Sequence, residues 1–169
     1  MIDMKIPFQL ILCAGAVFLG AGCTTPTMNQ SAQKTVVEST ATDKISDNIL
    51  SLRNQSLTQV SQSVFKQTNL VELDLSNNQL TGALPSQIQQ LRNLRVLNAS
   101  GNKMTGVPAE IGQLSKLTEL NLSNNQLTGL PMELGNLVSL RRLDLRGNIV
   151  SKQDLDQIRT KLTQTEILE

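Results

Sequence analysis

Residues 73–82 read LDLSNNQLTG and residues 120–129 read LNLSNNQLTG, identical at nine of ten positions across 47 residues. A chain that copies itself at fixed spacing folds as a stack of like units, because each unit buries its apolar side against the next. Aligning on the first leucine extends the match to four frames. These are LVELDLSNNQL from Leu70, LRVLNASGNKM from Leu94, LTELNLSNNQL from Leu117 and LRRLDLRGNIV from Leu140, with starts 24, 23 and 23 residues apart. A weaker copy, DNILSLRNQSL from Asp47, carries Gln55 where the others carry Asn.

Inside a frame, Leu73 and Leu75 alternate with Glu72, Asp74 and Ser76. That period of two is the pattern of a half-buried strand. Stacked copies align these strands about 4.8 Å apart as a parallel sheet. Asn78, Asn102, Asn125 and Asn148 then form a column, placed to bond backbone groups where the chain bends away from the sheet. The second halves share one template: Pro85-x-x-Ile88-x-x-Leu91, Pro108-x-x-Ile111-x-x-Leu114 and Pro131-x-x-Leu134-x-x-Leu137. Apolar residues three apart after a proline predict a short α- or 3₁₀-turn with proline in its first position. Gly82, Gly106 and Gly129 mark the bend before it.

The frames fit L-x-x-L-x-L-x-x-N-x-L, and on that signature residues 44–150 resemble the leucine-rich repeat family, with about five repeats. The second halves resemble both the plant-type repeat (TGALPSQI) and a shorter form common in bacteria (TGLPMELGNL). The resemblance implies an α/β leucine-rich repeat solenoid. Its parallel β-sheet lies on the concave face, with short helical or 3₁₀ turns on the convex side and a C-terminal capping helix. A solenoid must cover its ends. Residues 151–169 are expected to close one of them. Ser151 is the N-cap, Asp154 stands in the capping-box position, and Leu155, Ile158 and Leu162 fall on one helical face. Val60, Val64 and Phe65 are expected to serve the other end.

Composition narrows the chemistry. The formal net charge is +1, Trp and Tyr are absent, and two of the three Phe lie in the N-terminal apolar segment. A nucleic-acid binder usually has a basic excess and aromatic stacking groups, so no nucleic acid is expected as partner. His is absent, which removes the commonest general base and metal ligand. Asp74 and Asp144 fall three strands apart, roughly 14 Å, too far for paired-carboxylate hydrolysis. No phosphate loop or metal-ligand cluster is evident, so no catalytic residue, metal or cofactor is expected.

The N-terminus carries an address. Lys5 precedes an apolar run from Ile6 to Gly22, broken only by Gln9, the pattern of a secretory signal at 1–22. Met4 offers an alternative start. The run ends Leu19-Gly20-Ala21-Gly22-Cys23, which resembles a bacterial lipobox, with Gly20 departing from the larger apolar residue usual there. The resemblance implies acylation of Cys23; an ordinary signal peptide is the alternative. Residues 23–43 then form a lipidated cysteine and a Thr/Ser/Gln-rich tether, too polar to offset its ordering entropy. Thr24 in place of Asp implies the outer membrane, again by resemblance.

In the family resembled, the concave strand face binds partners. Its outward positions here are the third, fifth and seventh of each frame. They give Glu72, Asp74 and Ser76; Val96 and Asn98; Glu119 and Asn121; and Arg142, Asp144 and Arg146. The expectation is a monomeric, non-enzymatic, lipid-anchored protein of the bacterial envelope that binds a protein or peptide through these residues. A structural envelope module without a ligand and a secreted adhesin- or effector-like binder remain as alternatives.

Overall fold

A computed structural model describes residues 48–169. The expected signal segment (1–22), Cys23 and the expected tether (23–43) lie outside the described residues. In chain order the elements are β1 (Ile49–Ser51), α1 (Gln62–Phe65), β2 (Glu72–Asp74), β3 (Thr81–Gly82), a 3₁₀ turn (Ser86–Gln90), β4 (Val96–Asn98), β5 (Lys103–Met104), a second 3₁₀ turn (Ala109–Gln113), β6 (Glu119–Asn121), a third (Met132–Asn136), β7 (Arg142–Asp144), α2 (Lys152–Lys161) and β8 (Glu166–Leu168).

The strands of successive turns pair in parallel in the order β1-β2-β4-β6-β7-β8. The register follows the frames: Leu50, Leu73, Leu97, Leu120 and Leu143 stand side by side. These leucines point inward with those at the sixth position, Leu75, Leu122 and Leu145, and meet Ile88, Ile111 and Leu134 from the 3₁₀ turns. The core is a stack of aliphatic layers one turn thick. Phe65, its one aromatic, is fully buried at the N-terminal end with Val60 and Val64.

Each element begins and ends for a local reason. Pro85, Pro108 and Pro131 stand just before their 3₁₀ turns, one residue earlier than expected, in extended conformation. The first intrahelical bonds run to their carbonyls, from Ile88, Ile111 and Leu134, so proline's missing N–H costs nothing there. Gly112 lets the second and third 3₁₀ turns touch: a Cβ on it would collide with the carbonyl oxygen of Glu133. The plant-like TGAL segment adds a second ladder, β3 beside β5, absent from the reading of the sequence. Of the three bend glycines, only Gly82 has a left-handed backbone, at φ 68°.

The C-terminal end differs from the expected single helix. Ser151 does cap α2, its Oγ accepting from Asp154 N at 3.3 Å. Asp154 does not complete a capping box; its Oδ2 accepts from Leu130 N of the preceding turn, at 3.2 Å. Leu155, Ile158 and Leu162 are buried, and past them the chain turns back as β8. Leu145 N donates to Leu168 O and Glu166 N to Arg141 O, both at 2.8 Å. The cap is therefore a helix followed by a sixth strand.

The asparagine column holds the turns together. Asn102 Oδ1 accepts from Leu80 N at 3.1 Å, while its Nδ2 donates to Leu75 O of the previous turn and Ala99 O of its own, both at 3.1 Å. Asn78, Asn125 and Asn148 repeat the arrangement on Leu57, Met104 and Leu127. One residue earlier, Asn54, Asn77, Gly101, Asn124 and Gly147 all have φ between 54° and 72°, a left-handed conformation that Gly and Asn adopt at least cost.

Candidate functional site

Parallel pairing lays the outward positions of the strands in straight columns across the concave face. The columns are not equivalent. The third-position column runs Ile49, Glu72, Val96, Glu119, Arg142 and Glu166. Glu119, Arg142 and Glu166 are exposed, and Glu72 and Val96 are half-buried. No side chain in this column makes a hydrogen bond or ion pair with another described residue. Glu166 reaches the column through β8, which is why the sequence reading missed it.

The fifth-position column has work inside the fold. Asp74 Oδ1 accepts from Ser76 N at 2.8 Å, Asn98 Oδ1 from Ser100 N at 3.1 Å, and Asn121 Oδ1 from Ser123 N at 3.0 Å. Each side chain bends back to receive the N–H two residues on, an Asx turn that ends the strand. Ser100 and Ser123 add their hydroxyls to Asn98 and Asn121, both at 2.8 Å. These residues were expected simply to face outward; they are half-buried, and one carboxyl or amide oxygen of each is already occupied.

Two further positions depart from the outward expectation. Ser76 is 2% exposed and Asp144 4%. Asp144 is the last residue of β7 and Ser76 stands two residues past β2, and both are buried despite their outward positions. Ser76 Oγ finds no partner. Asp144 receives Arg146 twice, Nε to Oδ1 at 3.0 Å and Nη2 to Oδ2 at 2.6 Å, together with Arg146 N at 3.2 Å. These bonds, chiefly the guanidinium's, hold the Asp144 carboxyl below the ordinary carboxylate value, against burial, with Arg142 adding its charge; Arg146 is raised in turn. Arg146 remains exposed toward solvent.

Among the described residues no cluster of His, Cys, Asp or Glu is placed to hold a metal. A shallow groove of about 300 Å³ lies beside β3, lined by Thr58, Val60, Leu80, Ala83, Leu84 and Met104 among others, with no charged side chain. It brings together none of the expected site residues. No described helix is long and apolar enough to cross a membrane.

A profile described as a leucine-rich repeat region matches residues 48–168. The chain belongs to the leucine-rich repeat family. Among solved leucine-rich repeat structures, one from Leptospira interrogans is 45% identical with a TM-score of 0.63, over 66% of this chain and 28% of that one. The Arabidopsis receptor kinase HAESA ectodomain, in complex with an N-terminally extended IDA peptide hormone, is 37% identical with a TM-score of 0.58, over 65% and 19%. A Listeria monocytogenes internalin is 27% identical with a TM-score of 0.57, over 65% and 31%. The chain thus spans less than a third of each. No curated protein sequence matches it. Leucine-rich repeat folds commonly bind proteins or peptides, and the HAESA complex is an instance.

Proposed function

We propose that this leucine-rich repeat protein is a non-enzymatic binder of an extended peptide or protein segment, tethered by an acylated Cys23 at the bacterial envelope. The observation that carries the reading is the third-position column. It is a straight row of mixed charge, in which Glu72 lies between apolar Ile49 and Val96 and Glu119, Arg142 and Glu166 follow side by side, and none of its side chains is spent on the fold. Such a row suits a partner of mixed charge with apolar residues at one end. Six strands span about 24 Å, enough for a short extended segment and small for a standard protein interface. No aromatic stands in the column as a hot-spot anchor, so the reading implies modest affinity, raised by co-localisation on a membrane. The receptor neighbour bound to a peptide supports this mode.

Binding is tested by Glu72→Lys/Glu119→Lys/Arg142→Glu, a triple change that spares the Asx turns. Photocrosslinking in intact cells should lose its specific adducts while the circular dichroism spectrum stays unchanged. Identical adducts in the folded triple variant would sink the concave-face reading. The anchor has its own test: Cys23→Ser should abolish fatty-acid labelling and release the chain from membranes.

A further inference from the structure

The concave face leaves one charge pattern unexplained. The loops that lead from the convex turns into the strands, residues 90–95, 113–118 and 136–141, contain Arg92, Arg95, Lys116 and Arg141 and no Asp or Glu. All four side chains are exposed and none joins an ion pair. The nearest carboxylates stand one step inside, on the concave column. The rim is internally braced: Lys116 Nζ donates to Asn93 Oδ1 at 2.8 Å, Asn93 Nδ2 to Thr68 O at 3.0 Å, and Asn69 Nδ2 to Asn48 Oδ1 at 2.7 Å.

A second observation concerns where the rest of the chain joins. Backbone bonds run from turn to turn along this rim, Val71 N to Asn48 O, Arg95 N to Val71 O, Thr118 N to Arg95 O and Arg141 N to Thr118 O. Asn48 is thus the first rung of the ladder on which Arg95 and Arg141 stand. The polypeptide that leads back to Cys23 leaves from the cationic edge.

We propose that this rim docks on the anionic phospholipid headgroups of the membrane to which the chain is tethered, a proposal that rests on the lipid-anchor reading. The tether draws that edge toward the bilayer, and the exposed guanidinium and ammonium groups, of which Arg141 and Lys116 donate only to the neutral Gln164 and Asn93, meet headgroup phosphates. The strands then run away from the membrane, and the concave column lies parallel to it, open to a partner from the side. Each Lys or Arg near an anionic leaflet strengthens association about fivefold, within a Debye length of the surface.

The experiment takes the full chain from membranes of expressing cells and reconstitutes it in phosphatidylcholine vesicles with or without phosphatidylglycerol. Amine-reagent modification of Lys116 is read by peptide mass spectrometry against Lys103 in the same molecules. Phosphatidylglycerol should slow Lys116 about fivefold or more and leave Lys103 unchanged. High salt or Arg92→Glu/Arg95→Glu/Arg141→Glu should remove the protection. Equal Lys116 rates in both vesicles, or protection that survives the triple reversal, would overturn the proposal. Flotation and labelling of Cys23→Ser report on the anchor separately. If the anchor reading fails, phosphatidylglycerol vesicles added to the released chain must still slow Lys116, or the rim proposal falls with it.

Discussion

At the scale of single residues, the fold depends on side chains that substitute for missing backbone partners. Asn102 serves Leu80 N, Leu75 O and Ala99 O at once. Asn102→Ala leaves those groups buried and short of partners, each at a cost of roughly 1–3 kcal/mol. We expect a loss of about 3 kcal/mol in urea unfolding, and a loss under 1 kcal/mol would contradict the column's role. The Asp144–Arg146 pair makes a pH prediction. A carboxyl whose folded-state pKa is depressed contributes stability above its unfolded value, 3.8 here, and loses it as pH falls through the folded value. Arg146→Ala should therefore destabilise at neutral pH, and the gap to the parent chain should close in acid below 3.8. A gap of constant size across that range would show that the pair contributes through packing alone. Much at this scale was hidden in the sequence. The asparagine column could be read because its spacing repeats. The Asx turns could not, because alternation on a strand says which face a residue takes and not whether its oxygen bends back to an N–H. Ser76 and Asp144 show the same limit: both occupy outward positions, and both are buried.

At the scale of elements, close approach decides. The second and third 3₁₀ turns meet where Gly112 lies against the Glu133 carbonyl. Backbone cannot swing aside as a flexible side chain does, so Gly112→Ala forces the turns apart. Overpacking of this kind costs about 1–3 kcal/mol, and thermal unfolding should show it. A melting temperature equal to the parent's would mean the turns separate freely. The C-terminal strand makes the second case. A chain ending at Thr163 loses the bonds of Glu166 N, Leu168 O and Thr165 Oγ1, the last donating to Leu140 O at 2.8 Å. It also leaves the β7 edge open, and an open edge invites pairing between chains. We expect lower stability and concentration-dependent light scattering; clear solutions at high concentration would argue that α2 suffices as a cap. The repeats were legible because four copies share one register. β8 was not, because its Glu166-Ile167-Leu168 lacks the leucine frame and pairs only through its neighbour. The β3–β5 ladder escaped for a related reason, since two-residue strands carry no period.

At the scale of the whole molecule, stability is a sum of turns and of the interfaces between neighbours. Removing residues 94–116 joins Asn93 to Leu117 and keeps the register. That deletion takes 23 of the 122 residues from 48 to 169. The shortened chain should still unfold cooperatively, with a denaturant m-value lower by roughly a fifth, as exposed area scales with length. A non-cooperative transition would show that the second turn does more than extend the stack.

The asparagine column has a direction. Each Asn reaches back, accepting from and donating to the turn before it, and among the described residues the turn with none before it carries Gln55 in that place. Within this column, a turn's buried Leu80-type N–H and Leu75-type carbonyl wait for the Asn of the turn that follows it. On the ribosome, where the N-terminal part of a chain emerges first, each new loop of polypeptide fastens the loop just released. Only the most recent one is ever loose, and α2 and β8 arrive last to shut the final link.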